Sequence, residues 1–174
     1  MPADWVAVRL LTSSLPSPRR LVLIAVVVVL FDQWSKTWAV NALANGHTID
    51  LVWTLRFALG FNSGIAFSQA QDLGAFVGLI AMVAVVMLSR AALRATTALS
   101  AYGLALISAG AIGNLSDRIF RGDGWLHGHV VDFIDLQWFP VFNIADSAIT
   151  IGAGVLIIGL SREYVGAKRH EGQV

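Results

Sequence analysis

Residues 21–40 read LVLIAVVVVLFDQWSKTWAV, a run whose length and apolar content are those of a helix that crosses a membrane. About 20 such residues are needed to span a ~30 Å hydrocarbon core. Similar runs follow at about residues 74–93, 98–115 and 142–160. We therefore predict an α-helical integral membrane protein with four transmembrane helices, in a single membrane-embedded domain that occupies residues 1–174.

The composition of the chain indicates a membrane protein rather than a soluble one. Hydrophobic residues make up 56% of the 174 residues and charged residues only 13%, which is more apolar surface than a soluble fold can bury. The 12 basic and 11 acidic residues leave a net charge of +1, so the basic stripe of a nucleic-acid-binding protein is missing. Without cysteine the chain has no disulfide, thiolate metal ligand or cysteine nucleophile. The composition argues against a soluble enzyme and a nucleic-acid partner, and it favours contact with membrane lipid.

The first apolar run also has features of a secretory signal peptide, since Arg19 and Arg20 precede it and residues 42–44 imitate a cleavage site. Three further apolar runs, and charged residues inside the first, favour a helix that stays in the mature chain. Basic residues precede the first span, lie between the second and third, and follow the fourth. By the positive-inside rule we expect both termini in the cytoplasm and the long connections, residues 41–73 and 116–141, on the outer side.

The first outer connection has the alternation of a strand. Large apolar side chains occupy every second position from residue 49 to residue 59, which predicts one strand with an apolar face. Residues 60–64 then predict a turn, after which residues 65–67 return as a second strand. We expect a small sheet at about residues 46–70, lying on the membrane surface.

Several polar side chains lie inside the predicted spans, where a charge costs about 2.5–3.5 kcal/mol on insertion scales. Asp32 and Lys36 are four residues apart, so they share a helical face and can pair. Alternatively, Lys36 extends to the membrane surface and Asp32 follows it. Asn114, Asp117 and Arg118 share a face at the outer end of the third span. They form either a scaffold, with the guanidinium bound to carboxylates or backbone carbonyls, or an interfacial cap with an arginine anchor.

Two further carboxylates suggest a reaction. Asp132 stands among bulky apolar neighbours, and Asp146 stands in the opening turns of the fourth span. Asp146 alone would be explained by the positive end of the helix, which favours an anion. If the fold brings Asp132 against Asp146, the two carboxyl groups share one proton, because both cannot ionise cheaply. One then acts as base on a water molecule and the other as acid toward a scissile carbonyl, without a covalent intermediate. The sequence leaves open which of them carries the proton.

Other chemistries have weaker support in the sequence. His127 and His129 lack a defined set of metal ligands, so we interpret them as solvated loop residues and predict no metal. A serine–lysine nucleophile would need Lys36 with Ser63 or Ser116, and no motif ties them together. A proton-coupled transporter would place acids throughout the bilayer depth rather than near one edge. A non-catalytic assembly factor with the same spans would tolerate the loss of either aspartate.

Five short blocks occur in order along the chain. They are DQWSK at residues 32–36, NSGIAF at 62–67, GNLSDR at 113–118, VVDF at 130–133 and FNIADS at 142–147. With these blocks the chain resembles the bacterial lipoprotein signal peptidase family, also called signal peptidase II, from about residue 31 to residue 152. The resemblance implies four transmembrane helices, an extracytoplasmic β-cradle and a short mobile helix over the site, which we expect around residues 122–139.

The resemblance also implies an activity and a site. The activity is that of an aspartic endopeptidase without cofactor or metal, which cleaves prolipoproteins before the diacylglyceryl-modified cysteine. It would act near the outer face of the bacterial cytoplasmic membrane, and we expect a monomer. Asp132 and Asp146 would be catalytic and Asp117 structural. The residues that support them or bind substrate would be Asp32, Lys36, Asn62, Gly64, Asn114, Arg118 and Asn143.

Overall fold

The computed structural model describes residues 15–63, 73–122 and 124–171. The elements follow in the order α1 (Pro18–Ala42), a 3-10 turn (Ala44–Gly46), β1 (Thr48–Val52), β2 (Leu55–Asn62), α2 (Leu73–Arg94), α3 (Ala98–Phe120), β3 (Val130–Asp135) and α4 (Ile144–Glu171). Proline in the first turn suits the start of α1, because the missing N–H would be unpaired there in any case.

The four α-helices of the described residues are long and apolar enough to cross a membrane, which confirms the four predicted spans. The third and fourth helices differ most from the predicted spans. The third span was expected to end at residue 115, but α3 runs to Phe120 because the polar residues of its last turns are buried rather than solvated. The fourth was expected at residues 142–160, but α4 begins at Ile144 and continues to Glu171, since a helix need not end where its hydropathy falls.

The central helix is α3, which packs against α1, α2 and α4. Glycines let its backbone approach that of α4. A Cβ atom at Gly103 would lie 2.7 Å from the backbone nitrogen of Leu156, and one at Gly152 would lie 2.8 Å from the carbonyl oxygen of Gly103. A Cβ atom at Gly110 would meet the carbonyl oxygen of Ala145. Small residues therefore bring α3 against the opening turn of α4, as between other membrane helices.

The strands form one antiparallel sheet in the order β1-β2-β3. The single strand predicted over residues 49–59 is in fact a hairpin that reverses at Trp53 and Thr54. The prediction was wrong because the alternation continues across this two-residue turn, and neither turn residue is a glycine, proline, asparagine or aspartate that would mark it. The predicted turn at residues 60–64 is also wrong at its start, since β2 continues to Asn62. Gly64 and the returning strand at residues 65–67 lie outside the described residues.

The segment around residues 122–139 contains β3 where we expected a short helix. Within the described part of this segment, Val130–Asp135 pairs with β2 and contains no helical turn. Phe133 packs with Ala39 and Leu43 in a buried cluster that also contacts Phe57. The expectation was wrong here because β-branched and aromatic side chains, buried on both faces, suit a covered strand better than a mobile helix.

Candidate active site

Lys36 is fully buried and is the cation at the centre of the polar cluster. Its Nζ lies 2.9 Å from Asp32 Oδ2 and 2.8 Å from Asp117 Oδ2. It also donates to Asn114 Oδ1 at 2.9 Å. The predicted pairing of Asp32 with Lys36 is therefore confirmed, and the alternative in which Lys36 extends to the membrane surface is wrong. Such a buried cation requires partners, because an unpaired charge away from water is costly.

Asp32 also holds the start of α4. Its Oδ1 accepts a hydrogen bond from the backbone N–H of Ala145 at 2.9 Å. The approach is possible because residue 113 is glycine, where a Cβ atom would lie 2.7 Å from Asp32 Oδ2. A carboxylate at this position satisfies a backbone donor that the first turn of a helix leaves unpaired. The first turn of α4, which carries Asp146, is thereby fixed against α1.

Asp117 ties α3 to β3. Its Oδ1 accepts hydrogen bonds from Gln33 Nε2 at 3.0 Å and from Arg121 Nε at 2.9 Å. Its Oδ2 accepts a bond from the backbone N–H of Val131 at 3.2 Å, one residue before Asp132. Sequence reasoning missed Gln33 and Arg121. The signals were present, because Gln33 adjoins Asp32 in its block and Arg121 follows Asp117 by one helical turn.

Asn143 brings the two candidate catalytic carboxylates together. Its Nδ2 donates to Asp132 Oδ1 at 2.6 Å, and its backbone N–H donates to Asp146 Oδ2 at 3.2 Å. In return, the N–H of Asp146 donates to Asn143 Oδ1 at 2.9 Å, which caps α4. Asn114 Nδ2 donates to the other oxygen of Asp146 at 2.8 Å. Asn143 thus contacts carboxylates from two elements, Asp132 in β3 and Asp146 in α4.

The environment of Asp132 favours its neutral form. Only 4% of this residue is exposed. Burial, assisted by the negative charge of Asp146, raises the pKa of Asp132 from 3.8 to about 6. Hydrogen bonds from Asn143 and Asn62 and the charge of Lys36 oppose this rise without cancelling it. A carboxyl group with such a pKa can hold a proton close to neutral pH.

The end of β2 completes this cluster. The side chain of Asn62 hydrogen-bonds to Asp132. Arg118 Nη1 donates to the backbone carbonyl of Ser63 at 3.2 Å, so the expectation that the guanidinium binds backbone carbonyls is confirmed. Of the predicted site residues, only Gly64 lies outside the described part of the chain. In that part, no group of three or more histidine, cysteine or acidic side chains is arranged to hold a metal ion.

Comparisons with known proteins show which family this chain resembles. The sequence profile of signal peptidase (SPase) II matches residues 24–162. The lipoprotein signal peptidase of Mycobacterium leprae (strain Br4923) is 39% identical over 162 residues, which cover 88% of this chain and 81% of that protein. The lipoprotein signal peptidase of Mycobacterium tuberculosis (strain ATCC 25618 / H37Rv) is 40% identical over 159 residues, which cover 88% of this chain and 79% of that protein.

Solved structures show the same fold. A structure described as a bacterial membrane enzyme has a TM-score of 0.67 and 30% sequence identity, over 83% of this chain and 89% of its own. A second, described in the same way, has a TM-score of 0.64 and 32% identity, over 81% of this chain and 92% of its own. Because the profile spans most of the chain and the relatives match over most of their own length, the chain belongs to the signal peptidase II family.

Proposed function

We propose that this protein is an aspartic endopeptidase that removes the signal peptide from prolipoproteins, cleaving on the N-terminal side of the diacylglyceryl-modified cysteine. Membership of the signal peptidase II family and relatives named lipoprotein signal peptidase support the substrate. The observation that carries the mechanism is the pair of bonds by which Asn143 holds both Asp132 and Asp146. Two carboxylates arranged in this way suit water activation without a covalent intermediate.

In the proposed mechanism Asp132 is the acid and Asp146 the base. Asp132, whose pKa is raised to about 6, holds a proton and donates a hydrogen bond to the scissile carbonyl oxygen. Asp146, bound through its two oxygens to Asn114 and Asn143, accepts a proton from the attacking water. The water oxygen bonds to the carbonyl carbon, and the carbonyl oxygen takes the proton of Asp132 to form a gem-diol. When the carbon–nitrogen bond breaks, Asp146 returns its proton to the leaving amine, and one hydroxyl proton of the gem-diol returns to Asp132.

The membrane supplies part of the substrate orientation in this proposal. A diacylglyceryl group holds the adjacent peptide bond at the membrane–water interface. Asp146 lies in the first turn of α4, and Asp132 lies in the strand that packs beside the end of α1. A reacting bond confined to this depth meets the two carboxylates without a search through solution, which lowers the entropic cost of the reaction.

We further propose that the protein resides in the bacterial cytoplasmic membrane as a monomer, with both termini in the cytoplasm and the site near the outer face. The orientation is supported by the position of the basic residues. Arg19 and Arg20 begin α1, Arg90 and Arg94 lie in the last turns of α2, and Arg162 lies in the last third of α4. These ends lie away from the polar cluster, and the positive-inside rule assigns them to the cytoplasmic side.

The experiment that tests the mechanism uses purified protein in lipid nanodiscs and a lipidated precursor. Asp132→Asn and Asp146→Asn should each lower the cleavage rate by at least about 100-fold, since acid–base groups contribute about that much or more. Asp50→Asn is the matched control, because Asp50 is exposed on β1. Mass spectrometry of the product should find the diacylglyceryl cysteine at its N-terminus. Cleavage at the wild-type rate by both site variants would refute the mechanism, and a product that begins elsewhere would refute the cleavage site.

A further inference from the structure

Two uncharged segments meet at one end of the sheet. Residues 51–55, with the sequence LVWTL, contain the turn between β1 and β2, and residues 136–142, with the sequence LQWFPVF, follow β3. Because neighbouring strands are antiparallel, the end of β1, the start of β2 and the end of β3 lie at the same end of the sheet. Gln137 Nε2 donates to the carbonyl oxygen of Thr54 at 3.1 Å, which joins the two segments directly.

The joined segments present a group of exposed apolar side chains, which we call the aromatic rim. Its members are Leu51, Val52, Trp53, Trp138 and Phe139. Trp53 is 97% exposed and Trp138 is 72% exposed, although both side chains are large and apolar. An exposed apolar patch of this kind marks a surface that contacts a membrane or another protein.

The backbone of the two segments that carry the rim supports the same conclusion. Trp53 has a φ of 53° and Gln137 a φ of 66°, the left-handed region that residues other than glycine rarely adopt. Strained conformations of this kind persist where the surrounding structure holds them, and they are concentrated at functional sites. Here each strained residue lies in one of the two segments that the Gln137–Thr54 bond joins.

The position of the rim relative to the spans identifies its partner. The Phe139 ring packs against the Phe142 ring with centroids 5.9 Å apart, and α4 begins two residues later at Ile144. The rim therefore lies within a few residues of a membrane-spanning helix. Of the charged side chains beside the rim, Arg56 and Asp135 are paired with each other at 2.7 Å, and Asp50, next to Leu51, is exposed on β1. Tryptophan is enriched at the membrane–water interface, where its ring meets apolar chains and its N–H meets headgroups.

We propose that the aromatic rim inserts into the headgroup layer of the membrane and anchors the sheet to the lipid surface. The anchor acts on the strand that carries Asp132, because β3 continues from Asp132 to Asp135 and then directly into the rim. Two attachments then set the depth of this strand, one to lipid through the rim and one to α3 through the bond from Val131 to Asp117. The proposal concerns the placement of the sheet and does not depend on the chemistry of the site.

Fluorescence of single-cysteine variants tests the anchor. The chain has no cysteine, so Trp53→Cys and Trp138→Cys each place an environment-sensitive label at one position. Asp50→Cys is the control, because Asp50 is an exposed charged residue of β1 outside the rim. The labelled proteins are reconstituted in vesicles of phosphatidylethanolamine and phosphatidylglycerol that carry nitroxide-labelled lipids. We expect nitroxides near the headgroups to quench the labels at 53 and 138 at least twofold more than the label at 50, and aqueous iodide to show the reverse order.

Two results would overturn the proposal. Equal quenching of the three labels by iodide, with no quenching by the labelled lipids, would place the rim in water. Shielding from both quenchers that increases with the ratio of protein to lipid would place a second copy of the chain on the rim instead of lipid. Because neither measurement uses cleavage, failure of the anchor would leave the proposed peptidase reaction to be judged by its own test.

Discussion

A change in the pKa of Asp132 should change the pH range in which the protein cleaves its substrate. Burial and the charge of Asp146 raise this pKa to about 6, and the hydrogen bond from Asn62 opposes the rise. Because the proposed mechanism requires a neutral Asp132 as the acid, kcat/KM should fall above about pH 6, roughly tenfold for each further pH unit. Asn62→Ala removes a bond that favours the charged carboxylate. The pKa of Asp132 should therefore rise, and the falling limb of the curve of kcat/KM against pH should move to higher pH.

The size of this movement follows from the strength of the lost bond. A hydrogen bond to a charged group contributes about 1.5–3 kcal/mol, and 1.36 kcal/mol corresponds to one pH unit. Asn62 is exposed at the end of β2, so water replaces part of the bond and the lower value applies. We therefore expect a shift of about one pH unit.

The same raised pKa affects the free energy of unfolding. Between pH 3.8 and about pH 6, folded Asp132 holds a proton that the unfolded chain has lost. The contribution of this proton to folded stability is thus complete below pH 3.8 and is lost as the pH rises through about 6. The difference between the two pKa values, 3.8 and about 6, corresponds to about 3 kcal/mol.

The assay measures kcat/KM from pH 4.5 to pH 8.5 on a lipidated precursor, with wild type and Asn62→Ala in the same nanodiscs. Asn41→Ala is the matched control, because Asn41 is exposed on α1 and its side chain donates to the carbonyl of Thr37, away from the site. The control should keep the wild-type limb. A wild-type limb far from pH 6, or a limb in Asn62→Ala that stays in place or moves to lower pH, would refute the reasoning.

Three further changes test the packing around the site. Lys36→Met leaves buried Asp32 without a cation and leaves Asp117 with Arg121 alone, which should lower the free energy of unfolding in detergent by about 3–5 kcal/mol; a loss below about 1 kcal/mol would contradict the buried network. Gly78→Ala places a methyl carbon 2.8 Å from the Cβ of buried Leu126, so cleavage should fall and should recover in part when Leu126→Ala is added. Strictly additive losses would argue against this contact. Gly110→Ala should lower the melting temperature, because its methyl group meets a carbonyl of α4, whereas Gly154→Ala, with open space around it, should not; equal melting temperatures would be the contrary result.

Local patterns in the sequence were sufficient for the helical part of the fold and for some of the site. Hydropathy over about 20 residues predicted the four spans. Spacing of four predicted the contact between Asp32 and Lys36, because residues four apart lie on one face of any α-helix. The hypothesis of two carboxyl groups that share a proton paired Asp132 with Asp146, and in the structure both contact Asn143.

The strands were less predictable because their pattern does not encode the direction of the chain. A hairpin with a two-residue turn keeps the alternation of apolar side chains, so the pattern of residues 49–59 predicts one strand although the chain reverses at Trp53. In β3 both faces are covered, so the alternation that marks a half-exposed strand is absent. Its pairing with β2 depends on contacts between residues about 70 or more positions apart in the chain.

The sequence by itself therefore determined that this protein crosses a membrane four times, and it supplied the charged groups that a buried site needs. Only the tertiary structure decided that Lys36 would contact Asp117 and that Asn143 would bind both catalytic candidates. The physical reason is distance along the chain. Hydropathy acts within one span and helical spacing within one or two turns, whereas these contacts require that glycines bring α3 close to α4 and that β3 bonds to α3.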